Sequence, residues 1–184
     1  LPWLYKKGRP LSATLGYVAE GLFQSQEEIS YSPVQDFGSK PQVGDIKYKD
    51  INGDNIIDSN DQIMISEYGR TPRLQYGFGI NLFWKKIDFG AFFNGSAQRD
   101  IMLSGIHPFG DNENNVFQFI ADDYWSESNP NPNAKYPRLG LLGIETKNNT
   151  QASTFWLRNG NFLRFKTLEL GYTFKSVSYT HLTL

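Results

Sequence analysis

Residues 73–84 and Ile87–Ala97 each alternate apolar and polar side chains, and only Lys85 and Lys86 separate them. In the first segment Leu74, Tyr76, Phe78, Ile80, Leu82 and Trp84 share one face, and Arg73, Gln75, Gly77, Gly79 and Asn81 share the other. In the second, Ile87, Phe89, Ala91, Phe93 and Ala97 alternate with Asp88, Gly90, Asn94 and Ser96. A period of two over about ten residues specifies β-strand, and a two-residue connection specifies a hairpin. Strands of about ten residues cross a bilayer when tilted, and an apolar row ending in aromatics suits contact with lipid. A soluble β-sandwich produces the same alternation, so the pattern leaves two architectures open.

Composition supports strands and excludes several chemistries. The 184 residues include 14 Phe, 10 Tyr, 4 Trp and 17 Gly, a usage that favours strands, tight turns and close backbone approach over helices. A formal charge of -1 and the lack of a basic run give no footprint for nucleic acid. With no Cys there is neither a disulfide scaffold nor thiolate chemistry, and His107 and His181 are too far apart in sequence to suggest a zinc site. No run of 18 apolar residues is present, so no transmembrane helix is expected. The opening LPWLYKKGRP carries neither an initiator Met nor a signal peptide and fits a fragment at least as well as a cytosolic protein. Glu27/Glu28 and Asp122/Asp123 are adjacent pairs on weakly patterned segments and read as solvated charges, not as an acid–base couple. No nucleophile elbow, P-loop or dinucleotide fingerprint occurs, so the chain is not expected to be an enzyme.

The remaining segments are less regular. Residues 1–72 read as a loop region with short extended pieces near 15–18 and 21–23 and a brief helical turn or polar loop at 24–28. Residues 98–153 form a long polar connection, in which 116–125 is expected to hold a short helix capped by Asn114 or Asn115. The run SNPNPNAKYP at 128–137 suits neither helix nor central strand. Within 154–176 the last clear strand spans 166–174, with Leu168, Leu170, Tyr172 and Phe174 on one face. Phe162, Leu163, Arg164 and Phe165 break that register, which fits either a bulge or a position at the barrel rim. Residues 177–184 are unassigned.

Between 50 and 61 lies an acidic loop. Asp50, Asn52, Asp54, Asp58 and Asp61 supply side-chain oxygens at positions 1, 3, 5, 9 and 12 of a twelve-residue loop, and Ile56 offers its carbonyl at position 7. That is the spacing of an EF-hand calcium loop, in which hard oxygen donors surround the ion. Asn55 replaces the usual Gly at position 6 and Asp61 the usual Glu at position 12, an arrangement similar to dockerin-type loops. Asn tolerates a left-handed backbone, so the turn remains possible. A structural Ca2+ is the expected cofactor, and an Asx-rich surface turn without metal is the alternative.

Four blocks, GYVAEGLFQSQEEI (16–29), GDIKYKDINGDNIIDSND (44–61), RLQYGFGINLFWKKIDFGAFFNGS (73–96) and FWLRNGNFLRFKTLELGYTF (155–174), resemble the carboxy-terminal part of SusC/RagA-type TonB-linked outer membrane proteins. The resemblance implies an all-β fold: a partial antiparallel transmembrane β-barrel, part of a plugged barrel of about 22 strands, with long extracellular loops. It places 73–84 descending, Lys85–Lys86 at the periplasmic turn, Ile87–Ala97 ascending, and both 1–72 and 98–153 at the cell surface. It further implies import of oligosaccharides or peptides, TonB acting through a missing amino-terminal region, a SusD-like lipoprotein partner and contact with outer membrane lipid. Gln75, Asn81, Asp88, Asn94 and Glu169 then face the lumen. Tyr124, Trp125, Tyr136 and Trp156 are candidates for stacking on sugars, with packing inside the loops as their ordinary role. An open barrel segment leaves unsatisfied edges, so the isolated piece is expected neither to insert nor to transport. The rival reading is a secreted soluble β-module with a calcium-stabilised loop and carbohydrate as a candidate ligand; it requires Phe78, Ile80, Phe89 and Phe93 to pack against a second sheet.

Overall fold

The computed structural model describes residues 2–5, 7–103, 116–140 and 145–174. The chain divides into two compact units, one formed by Leu1–Thr71 with Asp100–Asn159 and the other by Pro72–Arg99 with Gly160–Leu184. His107, His181, Asn114, Asn115 and the tail 177–184 fall outside the described residues.

The second unit is a three-stranded antiparallel sheet. Strands β7 (Leu74–Trp84), β8 (Ile87–Ala97) and β11 (Phe162–Tyr172) have 11 residues each and lie in the order β11-β8-β7. The β7–β8 register is unbroken from Leu74↔Ala97 to Trp84↔Ile87. Lys85 turns the chain at φ +58, the left-handed backbone that tight hairpins use because it matches strand twist. Its Nζ lies 4.8 Å from the Trp84 ring centroid. Strand β11 begins at Phe162, four residues ahead of the start expected at 166, and a bulge absorbs the irregular stretch. Phe165 pairs with Phe93 and Thr167 with Phe92, which leaves Lys166 as the extra residue. That single residue returns Leu163 and Phe165 to the face of Leu168, Leu170 and Tyr172.

The first unit holds four short strand pairs. Strands β1 (Thr14–Gly16) and β6 (Ile63–Ser66), β2 (Ala19–Leu22) and β4 (Ile46–Tyr48), and β9 (Asp100–Met102) and β10 (Leu157–Asn159) are antiparallel. Strands β3 (Val34–Gln35) and β5 (Ile56–Ile57) are parallel. Helix α1 (Gln26–Tyr31) starts where Ser25 Oγ accepts the Glu28 N–H, an N-cap that satisfies one orphan donor of the first turn. Helix α2 is only Gln118–Ala121, shorter than the 116–125 expected, and Phe117 stands at its N-cap without a side-chain bond. The described residues of 100–153 are therefore not a free-standing loop: they share a core with 1–71. Tyr17, Leu22, Ile46, Tyr48, Ile57, Trp125 and Trp156 are buried together.

Amide and charged side chains complete this core. One edge of β4 pairs with β2. Elsewhere, its backbone is met by side chains distant in sequence. Ile46 N–H donates to Asn149 Oδ1 at 2.8 Å, Asn148 Nδ2 donates to Ile46 O at 2.8 Å, and Tyr48 N–H donates to Gln35 Oε1 at 2.7 Å. Asp45 is fully buried, with Arg138 Nε 2.6 Å from Oδ1 and Asn149 Nδ2 donating to the same oxygen at 2.8 Å. Burial pushes the Asp45 carboxyl up despite the opposing pull of Arg138 and its hydrogen bonds.

Replacing Arg138 with Met strands this carboxylate and should cost about 3 to 5 kcal/mol of local stability at neutral pH. Because folding raises the Asp45 pKa, its stabilising contribution is full below the unfolded value and falls as pH rises through the folded value. The deficit of the variant should therefore shrink toward acid pH. Hydrogen exchange of peptides over 44–57 in the intact protein measures it; equal deficits at both pH values would show that Asp45 does not carry the effect.

Candidate functional site

The β11-β8-β7 sheet has two chemically distinct faces. Across the apolar face, register aligns Trp84–Ile87–Tyr172, Leu82–Phe89–Leu170, Ile80–Ala91–Leu168 and Phe78–Phe93–Phe165. The Phe78 and Phe93 rings stack at 5.1 Å between centroids, and Phe93 meets Phe165 at 5.0 Å. No second sheet covers these rows among the described residues: Phe78 is 48% and Ile80 49% exposed. So large an uncovered apolar surface is untenable in water for a monomeric domain. It is the surface a barrel wall turns to hydrocarbon.

The opposite face gathers Gln75, Asn81, Asp88, Asn94 and Glu169, the residues expected there from parity. It also carries two residues the alternation did not single out, Phe92 and Phe83, of which Phe83 is 82% exposed. Phe92 lies over glycines: a Cβ at Gly77 would sit 3.0 Å from Phe92 Cζ, and one at Gly79 3.3 Å from Phe92 Cδ2. The missing side chains make room for the ring. The signal was present in sequence as two glycines in one strand, opposite a phenylalanine out of phase with its neighbours.

The acidic loop closes on itself through its own carboxylates and amides. Asp50 Oδ1 accepts the Gly53 N–H at 2.6 Å and Oδ2 the Asn55 N–H at 2.8 Å. Asn52 Oδ1 accepts from Asp54 N at 2.9 Å, Asp54 Oδ1 from Ile56 N at 2.9 Å, and Asp58 Oδ1 from Asn60 N at 2.7 Å. Asp61 is fully buried; its Oδ1 accepts from Ile51 N at 2.9 Å and its Oδ2 from Asp58 N at 2.9 Å. Asn55 has φ +65, so position 6 adopts the left-handed turn without Gly. Ile57 is fully buried and anchors the loop in the core, while Ile56 is exposed. Among the described residues no three carboxylates or imidazoles converge to hold a metal. The slight burial of Asp50 raises its pKa, but the N–H bonds from Gly53 and Asn55 outweigh it and hold the carboxyl below its usual value.

Of the four candidate stacking aromatics, Trp125 and Trp156 are buried in the first unit's core and Tyr136 packs against it. Trp125 covers Gly44, where a Cβ would overlap the indole. Tyr124 lies in an open cleft of about 610 Å³ with Gln42, Ser126, Glu127 and Arg138. The acidic pairs are solvated or paired singly: Glu28 binds Lys47 at 3.1 Å, and Asp123 binds Lys135 at 3.0 Å.

An antiparallel sheet with strands long enough to cross a bilayer, one face greasy and bare and the other polar, defines a segment of transmembrane β-barrel wall. Among the described residues no helix is long and apolar enough to cross a membrane, which says nothing against crossing by strands. No protein-family model matches the chain. TonB-dependent receptor P26 of Formosa agariphila is 32% identical over 155 residues, covering 83% of this chain and 14% of the receptor. The RagAB peptide importer in its open-open state superposes with a TM-score of 0.50 at 18% identity, over 90% of this chain and 16% of that one, and agrees in fold. The chain belongs to the TonB-dependent receptors and is a segment of an outer membrane protein. It spans about one seventh of the length of the receptor it matches.

Ile80→Lys places a charge mid-strand on the lipid face and should cost about 2 to 4 kcal/mol in the folded receptor, whereas Asn81→Lys on the polar face should cost much less. Folding of the intact receptor into vesicles, followed by urea titration, measures the difference. Equal penalties at both positions would mean that the two faces do not meet different solvents.

Proposed function

We propose that this segment serves an active importer that takes up oligosaccharides or peptides across the outer membrane, with TonB supplying the energy through a part of the protein outside this chain. The bare apolar face of the β11-β8-β7 sheet carries the reading, because it needs a bilayer and a closed barrel to be stable. A SusD-like surface lipoprotein is the proposed partner, and 1–72 and 98–153 are its proposed cell-surface neighbours. Gln75, Asn81, Asp88, Asn94 and Glu169 line the lumen, and the protein performs no bond chemistry. Alone, the segment neither inserts nor transports, since among the described residues β7 and β11 each leave one edge of the sheet unpaired.

Uptake of labelled oligosaccharides and labelled oligopeptides by cells carrying the intact receptor tests this. Uptake of one class should disappear when TonB is deleted, and the lipoprotein should co-purify with the receptor. Uptake of neither class would overturn the reading.

A second reading concerns the loop at 50–61, for which we propose a structural calcium ion held by Asp50, Asn52, Asp54, Ile56, Asp58 and Asp61. It is favoured by the ligand spacing and by the left-handed backbone at Asn55, the turn a calcium loop requires at its sixth position. Calorimetric titration of the intact receptor with calcium should give heat that vanishes in the Asp50→Ala/Asp54→Ala double variant. Heat that is absent, or that persists in the variant, leaves the carboxylates as turn-forming groups only.

A further inference from the structure

Three Asn-Gly pairs occur in the chain, at 52–53, 94–95 and 159–160, and the structure places them in unlike surroundings. Asn-Gly is the dipeptide in which the following backbone nitrogen most readily reaches the side-chain amide carbon, because glycine has no Cβ to block the approach. Asn94 and Gly95 lie inside β8, where Gly95 faces Tyr76 on one side and Leu163 on the other, and both Gly95 and the Asn94 Oδ1 atom are buried. Gly160 is buried, and its N–H donates to Arg99 O at 2.8 Å. Gly53 alone of the three is exposed, with nothing within 4 Å of the space its Cβ would fill.

At Asn52–Gly53 both reacting groups are held by side chains of the loop. The nucleophile, Gly53 N–H, donates to Asp50 Oδ1, and a carboxylate beside it disfavours the amide anion that must form. The electrophile is held at both ends: Asn52 Oδ1 accepts from Asp54 N, and Asn52 Nδ2 donates to Asp54 Oδ2 at 2.9 Å. We propose that Asn52 is the deamidation site of this chain and that Asp50 and Asp54 restrain the reaction, so that its rate reports opening of the loop. Gly53 N gives up its proton and attacks Asn52 Cγ. The new C–N bond closes a succinimide as the Cγ–Nδ2 bond breaks, and the departing nitrogen takes up the proton as ammonia. Water then opens the ring at either carbonyl. One opening converts Asn52 to aspartate, and the other leaves an isoaspartyl linkage that lengthens the backbone by one methylene. Either product adds a negative charge at the third position of the acidic loop. This inference does not rest on transport, and because Asp50, Asn52 and Asp54 are also proposed calcium ligands its test is made with a calcium chelator present.

The intact receptor, incubated at mildly alkaline pH and mapped by peptide mass spectrometry over time, tests it. The mass gain of an amide-to-acid conversion should appear at Asn52 well before Asn94 or Asn159. Asp50→Ala should accelerate it about tenfold, the factor by which one charge-assisted hydrogen bond biases a local opening. Ser59→Ala, in the same loop but outside the proposed calcium ligands, should leave the rate unchanged, and Asn52→Gln should abolish the signal. Conversion first at Asn94 or Asn159 would overturn the proposal. So would slowing by Asp50→Ala, which would make that carboxylate a base for the reaction instead of a restraint, and so would equal acceleration by Ser59→Ala.

Discussion

Backbone N–H and C=O groups removed from water must find partners inside the protein, and each unit meets that demand by its own means. In the β11-β8-β7 sheet the partners are other strands. The ladder between β7 and β8 runs without interruption from end to end, and β8 is paired on both sides along most of its length. Only such regular pairing is compatible with hydrocarbon, where no water repairs a missing bond. In the unit formed by 1–71 and 100–159 the strands are too short to pair fully, and amide side chains take the place of absent strands. Gln35, Asn148 and Asn149 present donors and acceptors to β4 as a neighbouring backbone would.

This difference explains what the sequence revealed. Regular pairing imposes a period of two, so the hairpin strands were legible, the second to the residue and the first to within one, and parity alone assigned Gln75, Asn81, Asp88, Asn94 and Glu169 to one face. The bulge was visible as a break in parity near 162–165, though its extra residue, Lys166, emerges only from the pairing. Side-chain substitution for backbone has no period. Nothing local in Lys147-Asn148-Asn149 announces that it completes a strand edge about a hundred positions earlier, and Asp45 gives no sign of Arg138. For that reason 98–153 reads as a loose polar connection in sequence, yet it supplies Trp125 and two core amides.

The acidic loop lies between these extremes. Its oxygen spacing is explicit, and so is the apolar Ile57 that pins it to the core. What spacing does not reveal is how the carboxylates are used. Asp61, with one methylene fewer than Glu, reaches the backbone N–H groups of Ile51 and Asp58 and ties the start of the loop to its end. A carboxylate oxygen has more than one lone pair, so accepting an N–H does not by itself exclude a cation. The same hydrogen bonds that order the turn without metal would pre-arrange it for one.

The abundance of aromatics and glycines has a common physical cause in the sheet. A wall one layer thick has no opposing layer to pack against, so contact must come from neighbours within it. Two-residue periodicity keeps side chains on adjacent strands within reach, and a glycine opposite or diagonal to a ring opens a seat for it. Phe92 settles over Gly77 and Gly79 on the polar face, while Tyr76 covers Gly95 on the apolar face and its hydroxyl reaches Phe162 O at 3.4 Å. Each glycine weakens its strand on its own. Paired with a ring, it lets aromatic surface lie flat along the sheet on both faces, which gives the wall packing without thickness.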